Sequence, residues 1–151
     1  MSFVINNFFD HNRSKIRSIL RYGILKAEVV ESPGLYCGRL GFAIIFYEYS
    51  RYSGDLLFEQ FADDILDSIL ELSYETPLDL ENGLIGIKWG VRYLLEKEFI
   101  EGEIDFVLSD INKRINSIGY KESDNLISDE IILKNILEKC FCVFPDIFIK
   151  N

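Results

Sequence analysis

Two Gly-x-x-Gly pairs, 45 residues apart, constrain the fold more than any other feature of this chain. Gly38-Arg-Leu-Gly41 opens one long apolar run and Gly83-Leu-Ile-Gly86 opens another. Sliding the sequence by 45 residues superposes the pairs, and lays Phe42 on Ile87, Ile44 on Trp89, Phe46 on Val91 and Tyr49 on Leu94. Each run ends in a short polar link with a glycine followed by an acid, Gly54-Asp55 and Gly102-Glu103, and each link leads into a more amphipathic stretch. The repeating unit is therefore a Gly-x-x-Gly helix, a tight turn and an amphipathic helix. A period of this length built from helices predicts αα-hairpins stacked into a solenoid or toroid. A glycine inside a helix costs up to about 1 kcal/mol against alanine. The compensation expected here is close approach: without a Cβ, helix backbones can crowd together at the inner starts of a curved array.

The remaining pattern is helical throughout. Three-and-four spacing predicts six helices, over residues 7–22, 39–52, 55–72, 84–97, 103–118 and 128–143. Gly23 is expected to end the first, and Ser32-Pro33-Gly34 is turn chemistry. Val29 and Val30 suit a brief extended piece. Ser128, followed by Asp129 and Glu130, has the signature of an N-cap, and Pro145 stops the last helix. The expected fold is all-α, one helical domain over 1–151, with repeats over 34–72 and 80–118 and a third helical segment over 119–144. The three hairpins would form an arc, or partial toroid.

Composition narrows the partners. Nearly half of the 151 residues are hydrophobic and 14% are aromatic, enough for a core and against disorder. The net charge of −9 disfavours nucleic acid and anionic lipid, and is compatible with a basic peptide or protein. No apolar run approaches the ~20 residues that span a bilayer, and the start shows no secretory signal pattern. Three cysteines do not form a disulfide framework. A cytoplasmic chain with reduced thiols is expected.

Gly34-Leu-Tyr-Cys-Gly38-Arg-Leu-Gly41-Phe-Ala, Tyr49-Ser-Arg-Tyr-Ser-Gly54-Asp, Asn82-Gly83-Leu-Ile-Gly86-Ile-Lys-Trp89-Gly90 and the stretch from Tyr93 to Gly102-Glu-Ile-Asp together resemble the lanthionine synthetase C-like family. The resemblance covers roughly residues 30–118. It implies a ring of helices whose Gly-rich inner starts face a central cavity. Cyclases of that family hold zinc with two cysteines and a histidine, in segments like Trp-Cys-x-Gly and Cys-His-Gly, and the metal activates a substrate thiol. This chain departs from that pattern. Its repeat starts are Tyr36-Cys37-Gly38 and Glu81-Asn82-Gly83. Cys37 falls where the family's histidine would sit and Tyr36 where a cysteine would sit. The single histidine, His11, lies in the first helix.

Several other groups invite chemistry. Cys140-x-Cys142 resembles a metal or redox pair, but i and i+2 point about 200° apart on a helix, and Cys140 falls on the apolar stripe as core filler. His11, Cys37, Cys140 and Cys142 fit no compact zinc spacing. Cys37 beside a helix start is a candidate reactive thiol, against an inert buried one. Gly-x-x-Gly at a helix start can cradle an anion, but no Walker lysine follows. Asp63-Asp64, Asp79 with Glu81 and Glu96 with Glu98 invite the paired carboxylates of a glycosidase, but most read as a solvated face, and Glu81, the best single candidate, does not make a pair alone. Tyr36, Cys37, Arg39, Glu81, Asn82, Lys88 and Trp89 gather near the two inner-helix starts and form the candidate peptide-binding cavity, unless Trp89 is simply packed between helices.

The expected function is a non-catalytic peptide- or protein-binding module associated with peptide modification, with no cofactor. The alternative is a subunit of a zinc-dependent, thioether-forming cyclase acting on thiol-containing peptides, its ligands completed by another chain. An arc that does not close leaves an apolar flank, so self-association into a homo-oligomer is also expected.

Overall fold

The computed structural model describes residues 3–69, 75–119 and 127–141. Eight helices and no strand occur among them: α1 (Phe3–His11), α2 (Ile16–Val29), α3 (Arg39–Ser53), α4 (Leu56–Ile69), α5 (Leu84–Glu96), α6 (Ile104–Val107), α7 (Ser109–Ser117) and α8 (Asp129–Cys140). The fold class is all-α, as the periodicity predicts. No helix among the described residues is long and apolar enough to cross a membrane.

The hub is α3. Every residue from Leu40 to Glu48 is buried, so the helix needs apolar neighbours all round. It packs against α1, α2, α4, α5 and α8. The Gly54-Asp55 link turns the chain into α4, with Gly54 in the left-handed region at φ 78° and its N–H donated to the Ser50 carbonyl. α8 lies against both α1 and α3, and α5 packs on α7. Phe141, at the end of α8, wedges its ring edge-on between Phe42 and Phe46.

The 45-residue repeat is written into the backbone hydrogen bonds. Arg39 N–H donates to the Ser32 carbonyl at 2.9 Å, and Leu84 N–H donates to the Pro77 carbonyl at 2.8 Å. Gly41 N–H reaches the Gly34 carbonyl at 3.4 Å, and Gly86 N–H reaches the Asp79 carbonyl at 3.5 Å. Donors and acceptors in each matched bond lie 45 positions apart. Both turns fold back over the helix they introduce, and their carbonyls satisfy donors that a helix start would leave open. A Cβ on Gly41 would strike the Leu35 carbonyl, and one on Gly86 the equivalent Leu80 carbonyl. The glycines exist for close packing.

Four sequence expectations need correction. The helix expected over 7–22 is two, α1 and α2. Residues 10–15 are all polar, and the Phe8 carbonyl accepts both the Asn12 backbone N–H at 3.2 Å and its side-chain amide at 2.8 Å, which closes α1 there. Gly23 does not end a helix: it lies inside α2, where the Phe141 ring occupies the space a Cβ would need. The helix expected over 103–118 is interrupted at Leu108 into α6 and α7, although Leu108 N–H still donates to the Ile104 carbonyl at 2.9 Å and Asn112 N–H to the Leu108 carbonyl at 2.8 Å. Val30 is extended, whereas Val29 belongs to α2. Ser128 does cap α8, accepting from Ile131 N–H at 3.3 Å. Residues 70–72, 120–126 and 142–144, and with them Leu70 and Cys142, lie outside the described residues, as does Pro145.

The contact between turns gives a stability test. A Cβ on Gly34 would lie 2.5 Å from Asn82 Cα and 2.7 Å from the Glu81 carbonyl oxygen, both backbone atoms that cannot swing aside. Gly34→Ala is expected to cost about 1–3 kcal/mol or more by overpacking. Gly54→Ala meets nothing within 4 Å and is expected to cost only the about 1–2 kcal/mol of left-handed backbone. Urea unfolding of the two variants against the parent checks the order.

Candidate functional site

The turn before α3 and the turn before α5 touch directly. The Glu81 carbonyl accepts two bonds, from Leu35 N–H and Tyr36 N–H, both at 3.0 Å. Tyr36, Cys37, Glu81 and Asn82 are thereby brought together, as the repeat implies. Their side chains, however, are mostly committed or turned outward. Tyr36 is buried, its hydroxyl accepting from Asn135 Nδ2 at 3.3 Å, and burial first, then the nearby Glu81 carboxylate, raises its pKa. Glu81 and Asn82 are exposed. Arg39 is half-buried, with its Nε unpartnered among the described residues, and Lys88 is half-buried on α5.

Trp89 acts as a bolt between helices. It is buried, stacks on Tyr93 at 5.1 Å with a 16° tilt, and donates its indole N–H to Asp129 at 3.1 Å on the first turn of α8. Tyr93 in turn donates to the Glu48 carboxylate at 2.6 Å. Glu48 and Tyr93 occupy equivalent positions in the two repeats, 45 residues apart. One line of contacts thus joins α3, α5 and α8 through polar groups.

Cys37 is exposed and holds a left-handed backbone, φ 55°. Its N–H donates to Cys140 Sγ at 3.1 Å, and the Cys140 thiol donates to the Leu35 carbonyl at 3.6 Å. Cys140 is more than filler: it ties the first turn to α8. Its expected partner Cys142 lies outside the described residues. Among the described residues, no three His, Cys, Asp or Glu side chains gather to hold a metal ion. The acidic pairs are divided between structural partners and solvent: Asp63 accepts from Tyr47 at 2.5 Å, and Glu96 pairs with Arg92 at 3.9 Å. The helix-start anion cradle is already filled, because turn carbonyls take the N–H groups of Arg39, Gly41, Leu84 and Gly86.

A concavity does exist, at a place the sequence did not single out. Phe9 of α1, Arg13 and Ser14 of the α1–α2 turn, Ile16 and Arg17 of α2, and Tyr49 and Tyr52 of α3 enclose a groove of about 550 Å³. Its walls are aromatic: Phe9 meets Tyr49 edge-on at 5.2 Å and Tyr52 at 5.0 Å. Its rim is polar. Asp10 accepts from the Tyr52 hydroxyl at 2.5 Å and from Arg13 at 3.3 Å, and these partners hold its carboxyl below the ordinary range. Arg17 has no hydrogen bond or ion pair among the described residues. The α2 start that opens beside the groove has no side-chain cap and no acid in its first turn. Residues 11–27 carry Arg13, Lys15, Arg17, Arg21 and Lys26 and no acid, on a chain whose net charge is −9. That local charge reversal was readable in the sequence. Its pairing with Tyr49 and Tyr52 was not, because it needs the packing of α1 and α2 against α3.

Comparison with protein-family models, curated proteins and solved structures returned no match.

The buried carboxylate supplies a pH test. Desolvation raises the Glu48 pKa above its ordinary 4.5, against the lowering effects of the Tyr93 hydroxyl on α5, Arg51 on α3 and Lys97 at the α5 end. The folded chain then keeps a proton that the unfolded chain releases, so stability falls as pH rises from 4.5 through the folded value. Glu48→Gln still accepts from Tyr93 and loses that proton linkage. Its stability relative to the parent is expected to improve between pH 4.5 and neutrality, read from urea midpoints at both ends. A difference that does not change with pH would contradict the assignment.

Proposed function

We propose that this chain is a non-catalytic peptide- or protein-binding module, related to the lanthionine synthetase C-like helical rings and working beside a peptide-modifying enzyme in the cytoplasm. The repeated turn geometry supports the relationship. The observation that carries the binding role is the groove between Phe9, Arg13, Arg17, Tyr49 and Tyr52: a concave, aromatic-walled site with cationic side chains on its rim. Such a site suits an aromatic or aliphatic side chain inserted between the tyrosines with carboxylates on the arginines. The occupant is therefore an acidic peptide segment with a bulky apolar residue. The basic peptide partner expected from overall charge does not suit this groove, whose own charge is opposite to that of the chain as a whole.

The residues first expected to form the cavity are mainly structural in this reading. Tyr36 and Trp89 hold helices together, Cys37, Glu81 and Asn82 belong to the two turns that touch, and Arg39 and Lys88 are half-buried on α3 and α5. The module needs no cofactor, whereas the zinc-cyclase alternative needs bound metal.

The test is fluorescence anisotropy with a labelled acidic peptide containing one phenylalanine, beside a basic peptide of the same length. Saturable binding of the acidic probe alone is expected. Arg13→Glu should weaken it about tenfold or more, the loss of one charge-assisted contact, and Tyr52→Ala by a similar factor. Equal binding of both probes, or none up to millimolar concentration, would sink the reading. Zinc determined on the same sample separates the alternative: stoichiometric metal would favour the cyclase subunit.

A further inference from the structure

Two cysteines far apart in the chain meet in the fold. Cys37 stands in the turn before α3, Cys140 ends α8, and 103 positions separate them. The Cys37 N–H donates to Cys140 Sγ at 3.1 Å. The N–Cα bond adds ~1.5 Å, so Cys37 Cα stands within about 4.6 Å of that sulfur. A disulfide holds its Cα atoms about 4.4–6.8 Å apart and its Cβ atoms about 3.5–4.5 Å apart. The contact already approaches that separation, and a rotation of Cys37 about χ1 with a small shift of the turn would complete it. Gly41 makes room for the sulfur: a Cβ there would come within 2.5 Å of Cys140 Sγ.

The two thiols differ in access. Cys37 is exposed and Cys140 is fully buried. Cys37 holds a left-handed backbone, φ 55°, and in that conformation its N–H faces the Cys140 sulfur. A small oxidant therefore reaches Cys37 first, and the oxidised sulfur has a second thiol beside it. This is the pairing of an oxidisable thiol with a resolving one.

We propose that Cys37 and Cys140 form a reversible redox pair, in which hydrogen peroxide oxidises Cys37 and Cys140 then closes a disulfide that locks α8 to the turn before α3. In the first step the Cys37 sulfur attacks the peroxide, the O–O bond breaks, and a sulfenic acid and one water result. In the second the Cys140 sulfur attacks the Cys37 sulfur. The S–S bond forms, the S–O bond breaks, and the hydroxyl leaves with the Cys140 thiol proton as a second water. The two thiols lose two electrons and the peroxide gains them; a dithiol reductant reverses the change. The bond removes the Cys140 thiol's hydrogen bond to the Leu35 carbonyl at 3.6 Å. Against that loss stands the closure of a long loop in the unfolded chain, where a cross-link restricts most. Neither cysteine lines the aromatic groove, so the pair does not depend on what the groove binds.

The test treats the reduced, purified chain with hydrogen peroxide, blocks the remaining thiols and assigns the bonds by mass spectrometry of a digest. A Cys37–Cys140 disulfide is expected as the principal product, formed at least tenfold faster in the folded chain than in urea. Cys142→Ser should form it as readily, and Cys37→Ser, altered only at an exposed side chain, should not. The oxidised chain should unfold at a urea midpoint about 1 M or more above the reduced chain, and dithiothreitol should restore the reduced value. A principal product in which Cys37 is sulfinic acid, Cys37 is linked to a second copy, or Cys140 is linked to Cys142 overturns the proposal. So does a bond that forms no faster in the folded chain than in urea, or one that leaves the midpoint unchanged or lower.

Discussion

The described structure hangs on one contact between backbones. The turn before α3 and the turn before α5 meet where the Glu81 carbonyl receives two N–H donors, with Gly34 laid flat against Asn82. No side chain could fill that space. Each turn also folds over its own helix and caps it with carbonyls, so the same few residues close the helix start, fix the entry of the chain and join the repeats. Buried backbone groups must find partners, and here they find them in each other. The helices are then set by where the turns put them, and α3, apolar all round, becomes the element on which five others pack.

Around that contact, polar groups fix positions that apolar packing alone would leave loose. Glu48, Tyr93, Trp89 and Asp129 form a single line from α3 through α5 to α8. Burying a carboxylate is unfavourable, and the tyrosine hydroxyl offsets part of that cost. Cys140 performs the same task with a thiol, joining α8 to the turn at Leu35 and Cys37. These groups look like a catalytic inventory when read as residue types: carboxylate, tyrosine, tryptophan, thiol. Their partners show that each is occupied in holding helices together.

Charge is distributed unevenly enough to matter. Residues 11–27 are basic and α4 is acidic, although the chain is acidic overall. The basic segment runs from the aromatic groove along α2. Net charge describes solubility and long-range steering, but recognition within a Debye length depends on the local set of side chains. The proposal of an acidic rather than a basic peptide at the groove rests on that local set, Arg13 and Arg17 among them.

The sequence by itself determined the helical class, the 45-residue period, the packing role of the glycines and the cap at Ser128. All of these follow from local spacing and from the conformations that glycine and serine permit, which need no knowledge of neighbours far along the chain. It placed Tyr36, Glu81 and Asn82 near one another, because equivalent positions of a repeat come together when repeats stack. Tertiary structure alone decided the rest. Gly23 sits inside a helix because Phe141, more than a hundred residues away, needs the space. The chain breaks after Asn12, whose backbone N–H and side-chain amide both end on the Phe8 carbonyl. Trp89 and Tyr36 are buried because α8 covers them, and the groove exists because Tyr49 and Tyr52 of α3 face the α1–α2 turn. Long-range packing settles which side chains remain free, and a periodic pattern carries no record of it.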